Sequence, residues 1–156
     1  MTIAHKVQDY LSKNGIHYDV VTHPHSQSSM ETAQLAHVPG NRLAKSVVLE
    51  DDSGYVMAVL PSTCHVRLGS LSKELNRELR LASEKELSAL FGDCEIGAVP
   101  PVGPAYGMRT VIDESLAAEP EVFFEAGDHE HLIHMQRDAF AELAARAERA
   151  RFAAPL

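Results

Sequence analysis

A chain of 156 residues fits one domain, and with 45% hydrophobic and 23% charged residues it can bury a core without metal or disulfide staples. No apolar run reaches the roughly 18 residues that span a bilayer, and Met1-Thr2-Ile3-Ala4-His5-Lys6 lacks the core of a secretion signal, so a soluble, cytoplasmic protein without a membrane partner is expected. The formal charge of −8 excludes a broad polyanion-binding face; no DNA partner is expected, and only a few cations, Lys45, Arg67, Lys73, Arg77 and Arg80, could grip a short piece of nucleic acid.

Taken in order, the chain opens with a helix over 2–14, which Thr2 can cap and in which Ile3, Val7, Tyr10 and Leu11 keep helical spacing; Asn14-Gly15 stops it. A strand follows over 17–22, broken by His23-Pro24. Ser28-Ser29-Met30-Glu31 has capping-box spacing and starts a short helix that Pro39-Gly40 ends. Residues 45–50 and 55–60 are β-rich runs joined by Asp51-Asp52-Ser53-Gly54, a hairpin signal. A short strand at 65–67, a helix carrying Leu71 and Leu75, a short strand at 80–82 and a second capped helix over 83–91 come next. Strands are predicted over 108–112, 121–125 and 132–135, with Asp113-Glu114-Ser115-Leu116 and Ala126-Gly127-Asp128 between them. Asp138 can cap a last helix with a Phe140, Leu143, Ala144 and Ala147 stripe, its C-terminal end served by Arg146, Arg149 and Arg151. This irregular alternation predicts an α+β fold, a mixed sheet with peripheral helices.

Two stretches stand out chemically. Gly97-Ala98-Val99-Pro100-Pro101-Val102-Gly103 combines two residues without an amide hydrogen and fixed φ with glycines that permit unusual dihedrals, which makes a rigid loop able to present backbone groups to a ligand. It also suits a plain α-to-β turn. Lys45 begins the apolar run Ser46-Val47-Val48-Leu49. A lysine there reads as a solvated edge charge or, beside the rigid loop, as the anchor for an anionic ligand. Neither a Gly-x-Ser-x-Gly elbow nor a cysteine in a catalytic setting is present. Cys64 and Cys94 read as free, buried thiols.

The order and spacing of Lys45-Ser46-Val47-Val48-Leu49, the hairpin, and the Gly-x-x-x-Pro segment from Gly97 to Pro101 resemble the YbaK / prolyl-tRNA-synthetase-associated editing domain family, over nearly the whole chain from His23-Pro24 to Phe140. The resemblance implies a single editing domain over 1–156, a barrel-like mixed sheet, and a trans-acting aminoacyl-tRNA deacylase that grips the tRNA acceptor end and removes a small non-cognate amino acid from a proline-type tRNA, with no cofactor. It implies that Lys45 holds the terminal nucleotide phosphate and that backbone groups of Gly97, Ala98 and Pro101 orient the ester and water. Gly127 and His129 match a third element lining the amino-acid pocket, with His23 and Ser46 as further lining residues. Ser46 after the lysine, and Val102-Gly103 where many relatives carry an aromatic, depart from the family and bear on specificity. A non-catalytic binding module using the same cleft is the alternative. A metal-dependent hydrolase built on His129, Glu130, His131 and His134 is a third, with His129 and His131 sharing a strand face and His134 on the other.

Overall fold

The fold grows outward from the hairpin. The structure, a computed structural model, describes residues 3–95 and 97–156. Asp51 Oδ1 accepts from the Ser53 amide at 2.7 Å and closes the turn, so that β2 (Leu43–Asp51) and β3 (Gly54–Pro61) pair antiparallel from Ala44↔Pro61 to Asp51↔Gly54. Val56, Met57, Ala58, Val59 and Leu60 are all fully buried, the mark of a central strand covered on both faces. Burial of each of the larger ones is worth about 1.5–3 kcal/mol.

From β3 the sheet runs in parallel to β6 (Arg109–Asp113) and β9 (Glu148–Ala150). From β2 it runs through β7 (Glu121–Glu125), β8 (His131–Gln136) and β1 (Asp19–Thr22). The two-residue strand β5 (Arg80–Leu81) adds to β2 alone, and β4 (Cys64–Val66) pairs separately with β10 (Ala153–Pro155). The expected mixed sheet with surrounding helices is therefore present; its path is open, ending at β1 and β9.

One irregularity positions the site. The edge of β2 away from β3 is covered by β7 at Leu43 and Ala44 and by β5 at Leu49 and Glu50. Between these two contacts, residues 45–48 have no strand beside them on that edge among the described residues.

The helices close the remaining faces. In α1 (His5–Lys13), Val7 and Leu11 enter the main core, and Gly15, at φ +63, turns the chain out after Asn14. Ser28 caps α2 (Ser29–Leu35) by accepting from the Glu31 amide at 3.2 Å. The helix α3 (Leu68–Leu75) stops at Asn76 in the left-handed region. The capping box predicted at Ser83 and Glu86 forms at the start of α4 (Glu84–Leu90), and Tyr55 Oη donates to Glu86 at 2.8 Å, docking α4 on β3.

The C-terminal region differs from its sequence pattern. Asp138 lies in the first turn of α6 (Arg137–Ala144) but does not cap it; Gln136 stands at the cap without a side-chain bond. The helix ends before Ala147, Arg149 sits in β9 opposite Ile112, and Arg151 pairs with Glu114 at 2.7 Å. The cause is tertiary: Phe152 is buried in the second core cluster, and Asp113 Oδ1 accepts from the Phe152 and Ala153 amides at 2.9 and 3.0 Å. Sheet pairing and this anchor outweigh the helical propensity of the alanine-rich run. The segment after Asp113, expected as a connection, is a short helix, α5 (Glu114–Ala117). The Thr2 cap lies outside the described residues. Cys64 and Cys94 are free but only partly buried.

Candidate active site

The uncovered edge of β2 opens into a cavity of about 320 Å³. Residues 44–48 form one wall, Leu81 and Leu87 the side toward β5 and α4, Gly97 and Val99 the Gly/Pro loop, and Glu125 the end of β7. Lys45 is half-buried here and joins no salt bridge among the described residues. Burial pushes its pKa below the usual lysine value, and the nearby Cys64 pushes it back up.

Ser46, its neighbour on the opposite face of the strand, donates to Val99 O at 2.9 Å. That bond pins the loop against β2. Within the loop, the Ala98 amide donates to Glu95 O at 3.1 Å, and Pro100 and Pro101 have no amide hydrogen. Gly97 and Val99, both in the cavity wall, therefore carry amides without a partner among the described residues. Gly97 holds φ +82, and a Cβ there would stand 3.4 Å from the His129 ring and 3.7 Å from Gln27 O. Glycine adopts that φ without strain, and a side chain there would come into contact with the ring.

Behind the loop three polar side chains are packed together with almost no exposure. Glu125 Oε2 lies 2.9 Å from His129 Nδ1, and Glu125 Oε1 lies 3.4 Å from His23 Nε2. Burial pushes the Glu125 pKa up to about 8, and the charges of Asp128 and Glu95 add to it. Asp128 behaves oppositely: burial raises it, but hydrogen bonds from the Glu130 and His131 amides and the His131 ring lower it more, and it ends below the usual value. This ionised carboxylate fixes the turn on which His129 sits at φ +60.

Lys45, Ser46 and Gly97 thus meet at one cavity, as the sequence pattern brings them together. Ala98 and Pro101 are buried behind the loop and shape its backbone from outside the cavity. Gly127 packs against Ala4 and Cys94 instead, and His23 and His129 stand behind Glu125; His129 also borders a separate depression with His25 and Glu95. His131 is held by Asp128 at 2.6 Å and His134 by Glu121 at 2.7 Å. His129, off the strand, shares no face with His131, and the described residues contain no group of three His, Cys, Asp or Glu side chains arranged so that they could hold a metal ion. Two of the five candidate cations are engaged elsewhere, Arg77 with Asp51 at 2.5 Å and Arg80 with Glu50 at 3.3 Å. Glu125 is the residue the sequence did not mark: at the end of Glu121-Val122-Phe123-Phe124 it reads as a solvated strand terminus.

The profile of the aminoacyl-tRNA editing domain matches residues 23–143. The proline–tRNA ligase of Xanthomonas oryzae pv. oryzae (strain MAFF 311018) is 33% identical over 99 residues, 63% of this chain but 17% of the ligase, so this chain spans a small part of that relative. Among solved structures, a candidate trans-editing enzyme for prolyl tRNA synthetase superposes with a TM-score of 0.82 at 28% identity, covering 96% of this chain and 95% of its own. A scaffold protein from the design of grafted epitopes gives 0.82 at 26% identity over 98% and 97%.

Proposed function

This chain belongs to the aminoacyl-tRNA editing domain family, and from that premise we propose that it is an aminoacyl-tRNA deacylase acting in the cytoplasm on a proline-type tRNA that carries a small non-cognate amino acid. The similarity to a candidate trans-editing enzyme over nearly the full length of both chains supports action in trans. One observation carries the reading: Lys45 and the amides of Gly97 and Val99, which have no partner among the described residues, line the same cavity.

The chemistry follows from those groups. The Lys45 ammonium, half-buried and in no salt bridge among the described residues, binds the phosphate of the terminal nucleotide as a compact point charge. This places the ester beside the loop. The Gly97 and Val99 amides donate to the ester carbonyl oxygen as it becomes an oxyanion, and each such fixed donor contributes about 10²–10³ in rate. Water oxygen bonds to the carbonyl carbon, the bond to the ribose oxygen breaks, and the water proton ends on that oxygen. The neighbouring ribose hydroxyl assists in activating the water, so no protein nucleophile enters. A cavity of about 320 Å³ lies at the small end for ligand sites, which favours a small amino acid over a bulky one.

The test is deacylation of a panel of mischarged tRNAs by wild type and Lys45→Ala. Turnover that is lost in the variant, with its circular dichroism unchanged, is expected. Binding without turnover in wild type would contradict the enzyme and favour a binding module.

A further inference from the structure

Glu125 and Lys45 are the two ionisable residues of the cavity wall among the described residues, and the chemistry above gives Glu125 no task. Both of its oxygens are sealed from solvent and neither makes a hydrogen bond of good geometry. A carboxyl group in that setting is costly unless something compensates it. We propose that Glu125 is a positioning residue: bridging the His23 and His129 rings, it holds His129 behind Gly97 and thereby sets the direction of the Gly97 and Val99 amides. The structural half stands on geometry alone; its consequence for rate rests on the deacylase reading.

His23 Nδ1 lies 2.7 Å from Pro24 O, which can only accept, so Nδ1 carries the hydrogen and a neutral ring turns the Nε2 lone pair toward Glu125 Oε1. An ionised carboxylate would face that lone pair with its own. A carboxylic acid instead faces one ring as donor and the other as acceptor, a pairing of contacts at 3.4 and 2.9 Å that a carboxylate cannot match between two neutral imidazoles. Facing the group are His23 after β1, His129 and Asp128 from the turn after β7, and Glu95 ahead of the loop. With two further carboxylates nearby and burial around it, Glu125 holds its proton up to about pH 8. Beyond that, the buried carboxylate adds its charge to those of Asp128 and the exposed Glu95, and the support behind Gly97 loosens. The lever arm is short: the His129 ring lies 3.4 Å from where a Gly97 Cβ would be, and a misplacement of about 1 Å at a catalytic group costs about 10²-fold in rate.

Glu125→Gln keeps the volume, one donor and one acceptor, but cannot titrate. Amide NMR of the wild type is expected to show the Gly97 resonance moving with a midpoint near pH 8, and the glutamine variant to show no such titration. Deacylation, corrected for uncatalysed hydrolysis, should fall through kcat above that pH in wild type with KM nearly constant. The glutamine variant should lack the fall, and Glu125→Ala should lose about 10²-fold in kcat at pH 7. A Gly97 amide that does not move in wild type, or an alkaline fall that persists in Glu125→Gln, overturns the inference. Should wild type titrate at Gly97 but hydrolyse no mischarged tRNA, the deacylase reading fails and the positioning role stands.

Discussion

Gly97 is exposed yet tightly constrained, because its φ of +82 and the His129 ring act together. A valine there incurs backbone strain of about 1–3 kcal/mol, with its Cβ already in contact with the His129 ring. Gly97→Val is therefore expected to keep the fold with a lowered melting temperature and to lose more than about 10²-fold in deacylation; an active Gly97→Val enzyme would sink the backbone-donor account. Ser46→Ala removes one hydrogen bond of about 1 kcal/mol between strand and loop, so kcat should drop about 5-fold with little change in melting temperature. Glu125 also predicts a slope in stability. Its folded pKa lies above its ordinary 4.5, so its stabilising contribution is full below about pH 4.5 and is lost as pH rises through about 8. Chemical denaturation across that window should show the loss in wild type and not in Glu125→Gln. At this scale the sequence displayed Lys45, Ser46 and Gly97 through order and spacing. It hid Glu125, since nothing in a linear pattern says that a strand's last carboxylate turns inward between His129, four residues on, and His23, far back in the chain.

Local chemistry and tertiary packing divided the elements between them. The hairpin and the Ser83 capping box were readable because their signals are local: an Asx-type turn, and a serine three residues before a glutamate. The last helix was overextended because its end is set by a partner forty residues away. Asp113 accepts from the Ser115 amide and hydroxyl as well as from the Phe152 and Ala153 amides. Although burial alone would raise its pKa, these bonds leave it below the ordinary 3.8. Its contribution is thus present above that pH and lost as the solution is acidified through the folded value. Asp113→Ala should cost about 3 kcal/mol and expose the amides of Phe152 and Ala153 to rapid hydrogen exchange, while β2 and β3 stay protected. Uniform exchange across both regions would argue against a local anchor.

The whole molecule is acidic, and with Arg77 and Arg80 engaged by carboxylates it presents few cations to a long polyanion. If Lys45 grips the acceptor end as proposed, log KM should rise with log salt at a slope of only about 0.7, the value for one phosphate contact on a single strand. A slope of several units would mean that the protein grips the tRNA body. The open edge of β2 is what brings a strand lysine and the amides of Gly97 and Val99 to one cavity. The most direct test is single-turnover hydrolysis of a proline-type tRNA bearing a small non-cognate amino acid, by wild type and by Lys45→Ala of matched circular dichroism. The account predicts release of the amino acid by wild type and none above background in the variant; equal rates in the two proteins would contradict it.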